Sequence, residues 1–324
     1  MLHAQTTLAD AGRASETPRA LAGLAWFTLA WNVLVILWGA FVRATGSGAG
    51  CGAHWPTCNG AVVPLAPTTS TLIEYSHRLT SGVALILVAL VFHLTRRHRE
   101  RFHLARFWST ASMVLILTEA LIGAGLVLFQ RVATDASVAR GYWISAHLIN
   151  TFLLLAALVL TASFADGNRT YGPAVSALKA TFPSAGRDLP TVLAILAMVA
   201  TGISGAIAAL GDTLFKATTL SEAFAQDFSS GSHIFLRLRV LHPVLALIGG
   251  GLILSVAYRA MTSNPERPAS RQAGLRLAAL VVTQWFLGLT NLFLLAPTPL
   301  QIAHLLMADL IWMSLVLAAA ESEA

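Results

Sequence analysis

Apolar stretches of about 20 residues recur eight times along this 324-residue chain. They run roughly Leu21–Val42, Ile73–Leu94, Phe107–Phe129, Tyr142–Phe164, Pro190–Leu210, Ile234–Tyr258, Leu275–Ala296 and Leu300–Ala320. A helix needs about that many residues to cross the hydrocarbon core of a bilayer. Only 11% of the residues are charged and 56% are hydrophobic, whereas a soluble domain carries about a quarter charged residues. Such a chain is expected to be an all-α polytopic membrane protein with eight transmembrane helices. A soluble enzyme, a nucleic-acid binder and a disulfide-rich secreted domain are excluded. The net charge of +6 belongs to loop arginines facing the cytoplasm rather than to a nucleic-acid surface. The first apolar stretch is too long for a signal-peptide core and lacks a small-residue cleavage site, so it counts as a helix.

Basic residues set the expected orientation. The N-terminal tail (1–20) and the second, fourth and sixth loops hold 14 of the 21 Lys and Arg, among them Arg96, Arg97, Arg99, Arg101 and Arg106. By the positive-inside rule both termini are cytoplasmic. Arg43, Arg78, Arg131, Arg140, Lys216, Arg237 and Arg239 then fall on the outer side, mostly at helix ends. Cys51 and Cys58, the only two cysteines, lie in the first outer loop, GSGAGCGAHWPTCNG. That compartment is oxidising, so a loop-closing disulfide is expected there. It is either a structural staple or a group handling electrons or substrate.

Internal similarity organises the rest. Ala146-His147-Leu148 in span four recurs as Ala303-His304-Leu305 in span eight. Thr118-Glu119 through Gly123 in span three recurs as Thr283-Gln284 through Gly288 in span seven. His77 precedes Thr118 by 41 residues, and His242 precedes Thr283 by 41. The pattern predicts two tandem four-helix bundles, 21–165 and 190–324, joined by a polar linker at 166–189. With an even number of spans in each half, the repeats are parallel and related by a pseudo-two-fold axis along the membrane normal.

Four of the ten histidines share one depth. His77, His147, His242 and His304 each lie about one to two turns inside the outer end of an even-numbered span. An ionisable group in hydrocarbon is costly and is by default functional. His3, His54, His93, His98, His103 and His233 are expected to be solvated or interfacial. Two imidazoles from facing helices supply both axial positions of a haem iron, whereas zinc favours three or four ligands, often including thiolate or carboxylate. Each half is therefore expected to hold one porphyrin, between His77 and His147 and between His242 and His304. Arg43, Arg78, Arg140, Arg237 and Arg239 are candidates to pair with propionates or with lipid headgroups.

The halves differ where chemistry would show. A shift of 165 residues places His77 on His242, Glu74 on Arg239 and Glu119 on Gln284. Glu74 lies one turn before His77 on the same helix face. A carboxylate at the edge of a porphyrin pocket can move protons, or it can simply pair with Arg78. Glu119 is either part of that equipment or a packing hydrogen-bond partner. Asp309, mid-span, has no evident partner in the sequence.

The stretches RATGSGAGCGAHWPTC (43–58) and EYSHRLTSG (74–82), with Ala146-His147-Leu148, Leu241-His242-Pro243 and Ala303-His304-Leu305, resemble the haem A synthase family of cytochrome oxidase assembly proteins. The resemblance covers about Leu21 to Ala320. It implies oxidation of the C8 methyl of haem o to a formyl group by successive hydroxylations, giving haem a. It further implies haem o as substrate between His77 and His147, and haem b as cofactor between His242 and His304. Glu74 matches the family's functional carboxylate and Cys51 with Cys58 its outer-loop pair. The segment from Lys216 to His233 lacks the second pair that some relatives carry. Expected partners are the lipid bilayer, an electron donor and haem O synthase (protohaem farnesyltransferase) upstream, with no nucleic acid. The expected location is the cell membrane, with both haem sites toward the outer face. The principal rival is a di-haem b electron carrier without catalysis on the porphyrin. Others are a haem chaperone and a transporter, which would need paired helix breaks; Gly249-Gly250-Gly251 has no counterpart at Ala84-Leu85-Ile86.

Overall fold

A computed structural model describes residues 2–172, 175–182, 188–262 and 268–321, with side chains from Arg19 to Ala320 within those ranges. Its long helices are α1 (Leu2–Ala44), α2 (Thr69–His98), α3 (Leu104–Leu128), α4 (Val138–Phe164), α6 (Leu189–Leu214), α9 (Leu241–Thr262), α10 (Pro268–Phe293) and α11 (Thr298–Glu321). Between them lie α5 (Ala177–Thr181), α7 (Leu220–Phe228) and α8 (Ile234–Arg239). Among the described residues there is no strand, only the isolated bridges Cys58–Ala61 and His103–Thr170.

Eight segments are long and apolar enough to cross a membrane: Arg19–Ala44 of α1, then α2, α3, α4, α6, α8 with α9, α10 and α11. Leu34, Leu79, Ile86, Leu121, Leu196 and Leu247 are exposed on them, as lipid-facing side chains should be. All eight expected spans are present, with ends moved by a few residues. The side chains of the expected tail fall outside the described residues as far as Thr17 and Pro18, as do 173–174 and 183–187 of the expected linker.

Local chemistry explains the boundaries. Side-chain oxygens of Thr68, Ser137 and Asp188 accept from the backbone N–H groups of Thr71, Arg140 and Thr191 at the starts of α2, α4 and α6, satisfying donors a helix start leaves free. His103, expected to be solvated, is instead buried: its Nδ1 accepts from Ala105 N–H and its Nε2 lies 2.8 Å from Gly167 O. The sixth span is interrupted at Val240. Pro243 has no N–H for the Arg239 carbonyl and its ring crowds that group, so the helix breaks one turn before it.

The turns after α3 and α10 are the same structure 165 residues apart. Arg131 N–H donates to Leu126 O at 2.7 Å, and Ala296 N–H donates to Asn291 O at 2.7 Å. Gln130 and Leu295 occupy the left-handed region at φ 55° and 58°. Both are six-to-one helix stops in which one residue must take that conformation.

Helices pack in the succession α1–α2–α3–α4, with α1 also against α4, and α6–α9–α10–α11, with α6 also against α11. The two sets meet where α4 packs on α6 and α11, and α1 packs on α11. Phe152 of α4 stacks on Trp312 of α11 with centroids 5.0 Å apart, and the indole N–H donates to Phe152 O at 2.7 Å. Leu154, Leu155, Leu158 and Leu315 fill the surrounding core.

Candidate functional site

One arginine brings the relevant helix ends together. Arg43, at the end of α1, donates from Nη1 to Ala209 O (2.7 Å) and Thr213 Oγ1 (2.9 Å) on α6, and from Nη2 to Gln301 Oε1 (3.0 Å) on α11. The ends of α1 and α6 and the start of α11 therefore share one end of the molecule. The disulfide loop follows α1 at that same end.

The loop grips the start of α2. Cys51 and Cys58 form a buried disulfide. The Cys51 N–H donates to Glu74 Oε2 at 2.8 Å, and the other oxygen of Glu74 pairs with Arg78. Arg78 also donates to the carbonyls of His54 (2.6 Å) and Thr57 (2.7 Å), both inside the loop. Glu74 is thus a buried carboxylate with both oxygens engaged, one turn from His77.

The His77 ring packs against α1 at Gly39. A Cβ on Gly39 would sit 3.1 Å from its Nε2, so only glycine lets the ring lie there undisturbed. His77 Nδ1 is buried without a hydrogen-bond partner among the described residues. His147, across on α4, is close enough to interact electrostatically with it. His147 Nδ1 makes no hydrogen bond within normal geometry but lies 3.4 Å from Glu119 Oε1 on α3.

The second pair has neutral neighbours. The rings of His242 and His304 have centroids 6.3 Å apart and are nearly perpendicular, at 82°. Ser204 Oγ lies 3.1 Å from His242 Nδ1, and Gln284 Nε2 lies 3.2 Å from His304 Nε2. Cβ atoms on Gly205 and Gly288 would meet these rings at 2.9 and 3.2 Å.

These residues fit axial haem ligation. Two imidazoles holding one iron from opposite sides, at about 2 Å per nitrogen, have ring centroids roughly 6 Å apart, as His242 and His304 do. Buried ring nitrogens without hydrogen-bond partners among the described residues, at His77, His147 and His304, are a cost that ligation would remove. Among the described residues no three His, Cys, Asp or Glu side chains converge to hold a metal ion by themselves.

The family model for cytochrome oxidase assembly protein matches residues 22–316. The chain belongs to this family, that of the haem A synthases. A protein of Thermus thermophilus named protoheme IX farnesyltransferase is 45% identical over 296 residues, covering 91% of this chain and 47% of that protein. A heme A synthase of Alkalihalophilus pseudofirmus is 38% identical over 145 residues, or 44% of this chain and 47% of the relative. One from Shouchella clausii is 38% identical over 146 residues, 44% of this chain and 46% of the relative. The chain spans about half the length of the curated relatives it matches.

The remaining arginines singled out in this family member all have partners within the chain. Arg140 donates to Ala133 O (2.7 Å) and Asp135 O (2.8 Å), and Arg237 to Ser230 O (2.5 Å). Arg239 is paired with Asp212 and Asp227, each at 2.6 Å. The position three residues before His77 and His242 thus carries an ion pair of opposite polarity: Glu74 to a guanidinium, Arg239 to carboxylates. Of the glycines under the imidazoles, the sequence marks only Gly288, as the end of the repeated Thr283-Gln284 segment. Gly39 and Gly205 stand there as small residues among many, on helices α1 and α6 that carry none of the four histidines.

Proposed function

We propose that this chain is a haem A synthase, oxidising the C8 methyl group of haem o to the formyl group of haem a. The observation that carries the reading is the pairing of four histidines, three of them with a buried ring nitrogen that has no hydrogen-bond partner among the described residues, in a chain of this family. His77 and His147 hold the substrate haem o; His242 and His304 hold haem b as cofactor. Haem b supplies an iron centre for electron transfer.

Glu74 is the catalytic residue of this reading. Its carboxylate sits one turn from His77, and Cys51 N–H and Arg78 fix its position, so it can hold or pass a proton at the edge of the substrate site. The second half has Arg239 at that position, engaged by two carboxylates, which supports a purely electron-handling role there. Two tandem four-helix bundles, each with its own haem, agree with the shared turn after α3 and α10. Orientation with both termini in the cytoplasm and the haem sites toward the outer face follows from the arginine distribution and belongs to this reading. So does location in the cell membrane.

Partners follow from the chemistry. Haem o must arrive from a protohaem farnesyltransferase, and the Thermus thermophilus relative bearing that name supports proximity of the two activities: the match to this chain spans 47% of its length.

The test is extraction of pigments from the purified protein, with chromatography and mass determination of each porphyrin. Haem b together with haem o, or with its hydroxylated or formyl products, is the expected result. Haem b alone at two per chain, even when haem o is supplied, would overturn the synthase reading in favour of an electron carrier.

A further inference from the structure

Glu119 is the carboxylate for which the catalytic reading has no role, and its surroundings are built. It lies on α3, with Oε1 3.4 Å from His147 Nδ1. Thr151 Oγ1 donates to Oε1 at 2.5 Å and Asn150 Nδ2 donates to Oε2 at 2.5 Å. Asn150 is itself oriented: its Oδ1 accepts from Thr118 Oγ1 at 2.6 Å, and its Nδ2 also reaches Leu115 O at 2.9 Å. The amide can face Glu119 only with its nitrogen. The carboxylate is thus held by two donors at a fixed place beside one nitrogen of the imidazole.

A ligand histidine whose second nitrogen donates to a carboxylate has a fixed tautomer and becomes a more basic ligand. Axial ligand character and its second-shell hydrogen bonds are the levers by which a protein sets a haem iron's potential. Glu119 Oε1 lies 3.4 Å from His147 Nδ1, an ion-pair contact rather than a formed hydrogen bond; with Nε2 as the nitrogen given to iron, Nδ1 would carry the proton and face that carboxylate. Among the described residues the second pair meets only neutral groups: His242 meets the hydroxyl of Ser204, and His304 meets the amide of Gln284, while Glu74, one turn from His77, is engaged by Cys51 N–H and Arg78. Glu119 and Gln284 are the positions that coincide under the 165-residue shift. Besides the difference between Glu74 and Arg239, the two proposed haem sites therefore differ by a carboxylate against an amide next to the α4 and α11 histidines.

We infer that Glu119 is a positioning residue that makes His147 the most electron-donating of the four ligands, so that the substrate haem site favours oxidised iron more than the haem b site does. The inference rests on the assignment of His77 and His147 to the substrate haem. The consequence is a functional division: the half proposed to carry out the oxidation has the ligand that supports it, and the other half keeps a neutral ligand set.

The test is a redox titration of the purified holoprotein loaded with haem o, following the optical band of each haem separately. Glu119→Gln is expected to shift the midpoint potential of the haem o site upward and to leave that of haem b in place. Gln284→Glu, in the reciprocal variant, is expected to shift the haem b potential downward. His147→Ala, titrated alongside, should lose haem o. Unchanged potentials in both charge variants, with haem o still lost from His147→Ala, would overturn the role of Glu119 while leaving the ligation standing. Retention of haem o with an unaltered spectrum in His147→Ala would overturn the ligation itself, and this inference with it.

Discussion

Glu74 and Cys51 are joined directly: the backbone N–H of Cys51 donates to Glu74 Oε2 at 2.8 Å, so the disulfide loop and the proposed catalytic carboxylate form one unit. The same loop holds Arg78 through the carbonyls of His54 and Thr57, and Arg78 holds the other oxygen of Glu74. Thr71 Oγ1 adds a bond to Gly50 O at 2.9 Å. Closing this short loop by a disulfide stabilises it by roughly 2.5 kcal/mol in the chain-entropy picture, and the loop in turn fixes the carboxylate.

Two variants separate the carboxylate from its support. Glu74→Ala is expected to lower conversion of haem o by about 10²–10⁴-fold, the range for a removed acid–base group, with both haems retained. Cys51→Ser is expected to give a smaller loss, because Glu74 remains but its donor is no longer held in place. Product formation and haem content are measured on the same preparations. Full activity in Glu74→Ala would remove that residue from the chemistry.

Asp188 ties the start of α6 to the end of α9. Its carboxylate accepts from Arg259 Nη1 and Nη2 at 2.6 and 2.8 Å, and it caps α6 through Thr191. The Arg259 bonds, aided by those of Thr191 and opposed by partial burial, hold its pKa below the ordinary aspartate value. A carboxylate with a depressed folded-state pKa contributes stability above its unfolded pKa and loses that contribution as pH falls through the folded value. Thermal melts should therefore show wild type and Asp188→Ala differing by about 1 kcal/mol at neutral pH, the usual worth of such a cap. The gap should close in strong acid. A constant gap from neutral pH to strong acid would count against the ion pair as its source.

The eight spans, the repeat and the four histidines were legible in the sequence because each leaves a periodic or type-specific mark. Apolar length marks a span, and His at one depth in matched helices marks the site proposed above. What was not legible depends on tertiary contacts between residues far apart. Asp188 and Arg259 are 71 residues apart, and Arg43 reaches Gln301 across 258. The break at Val240 was readable in principle from Pro243, since proline excludes the carbonyl four residues earlier. His103 was misjudged because a histidine among arginines normally faces water; here it is buried as a helix cap.

Asp309 is fully buried on α11, and neither carboxylate oxygen has a hydrogen-bond partner among the described residues. An unsatisfied buried polar group costs about 1–3 kcal/mol. Asp309→Leu, which keeps the branch at Cγ without polar atoms, is accordingly expected to raise the melting temperature in detergent. A lower melting temperature would mean that Asp309 has a stabilising partner in the folded protein.

The glycines beneath the imidazoles give a prediction that separates the two proposed haem sites. Gly39 and Gly205 lie on different helices, and a Cβ at either would press on a histidine ring, at 3.1 Å from His77 Nε2 and 2.9 Å from His242 Cε1. Real Cβ atoms rarely approach that closely, so a branched side chain must displace the ring, and overpacking of this kind typically costs 1–3 kcal/mol. Because ligation tolerates little displacement, the loss should fall on one haem at a time. Gly39→Val is expected to lose haem o and keep haem b; Gly205→Val is expected to lose haem b and keep haem o. Extraction and chromatography of each variant give the two stoichiometries directly. Loss of both haems from both variants would point to a shared structural collapse, whereas the crossed pattern ties each glycine to its own histidine pair.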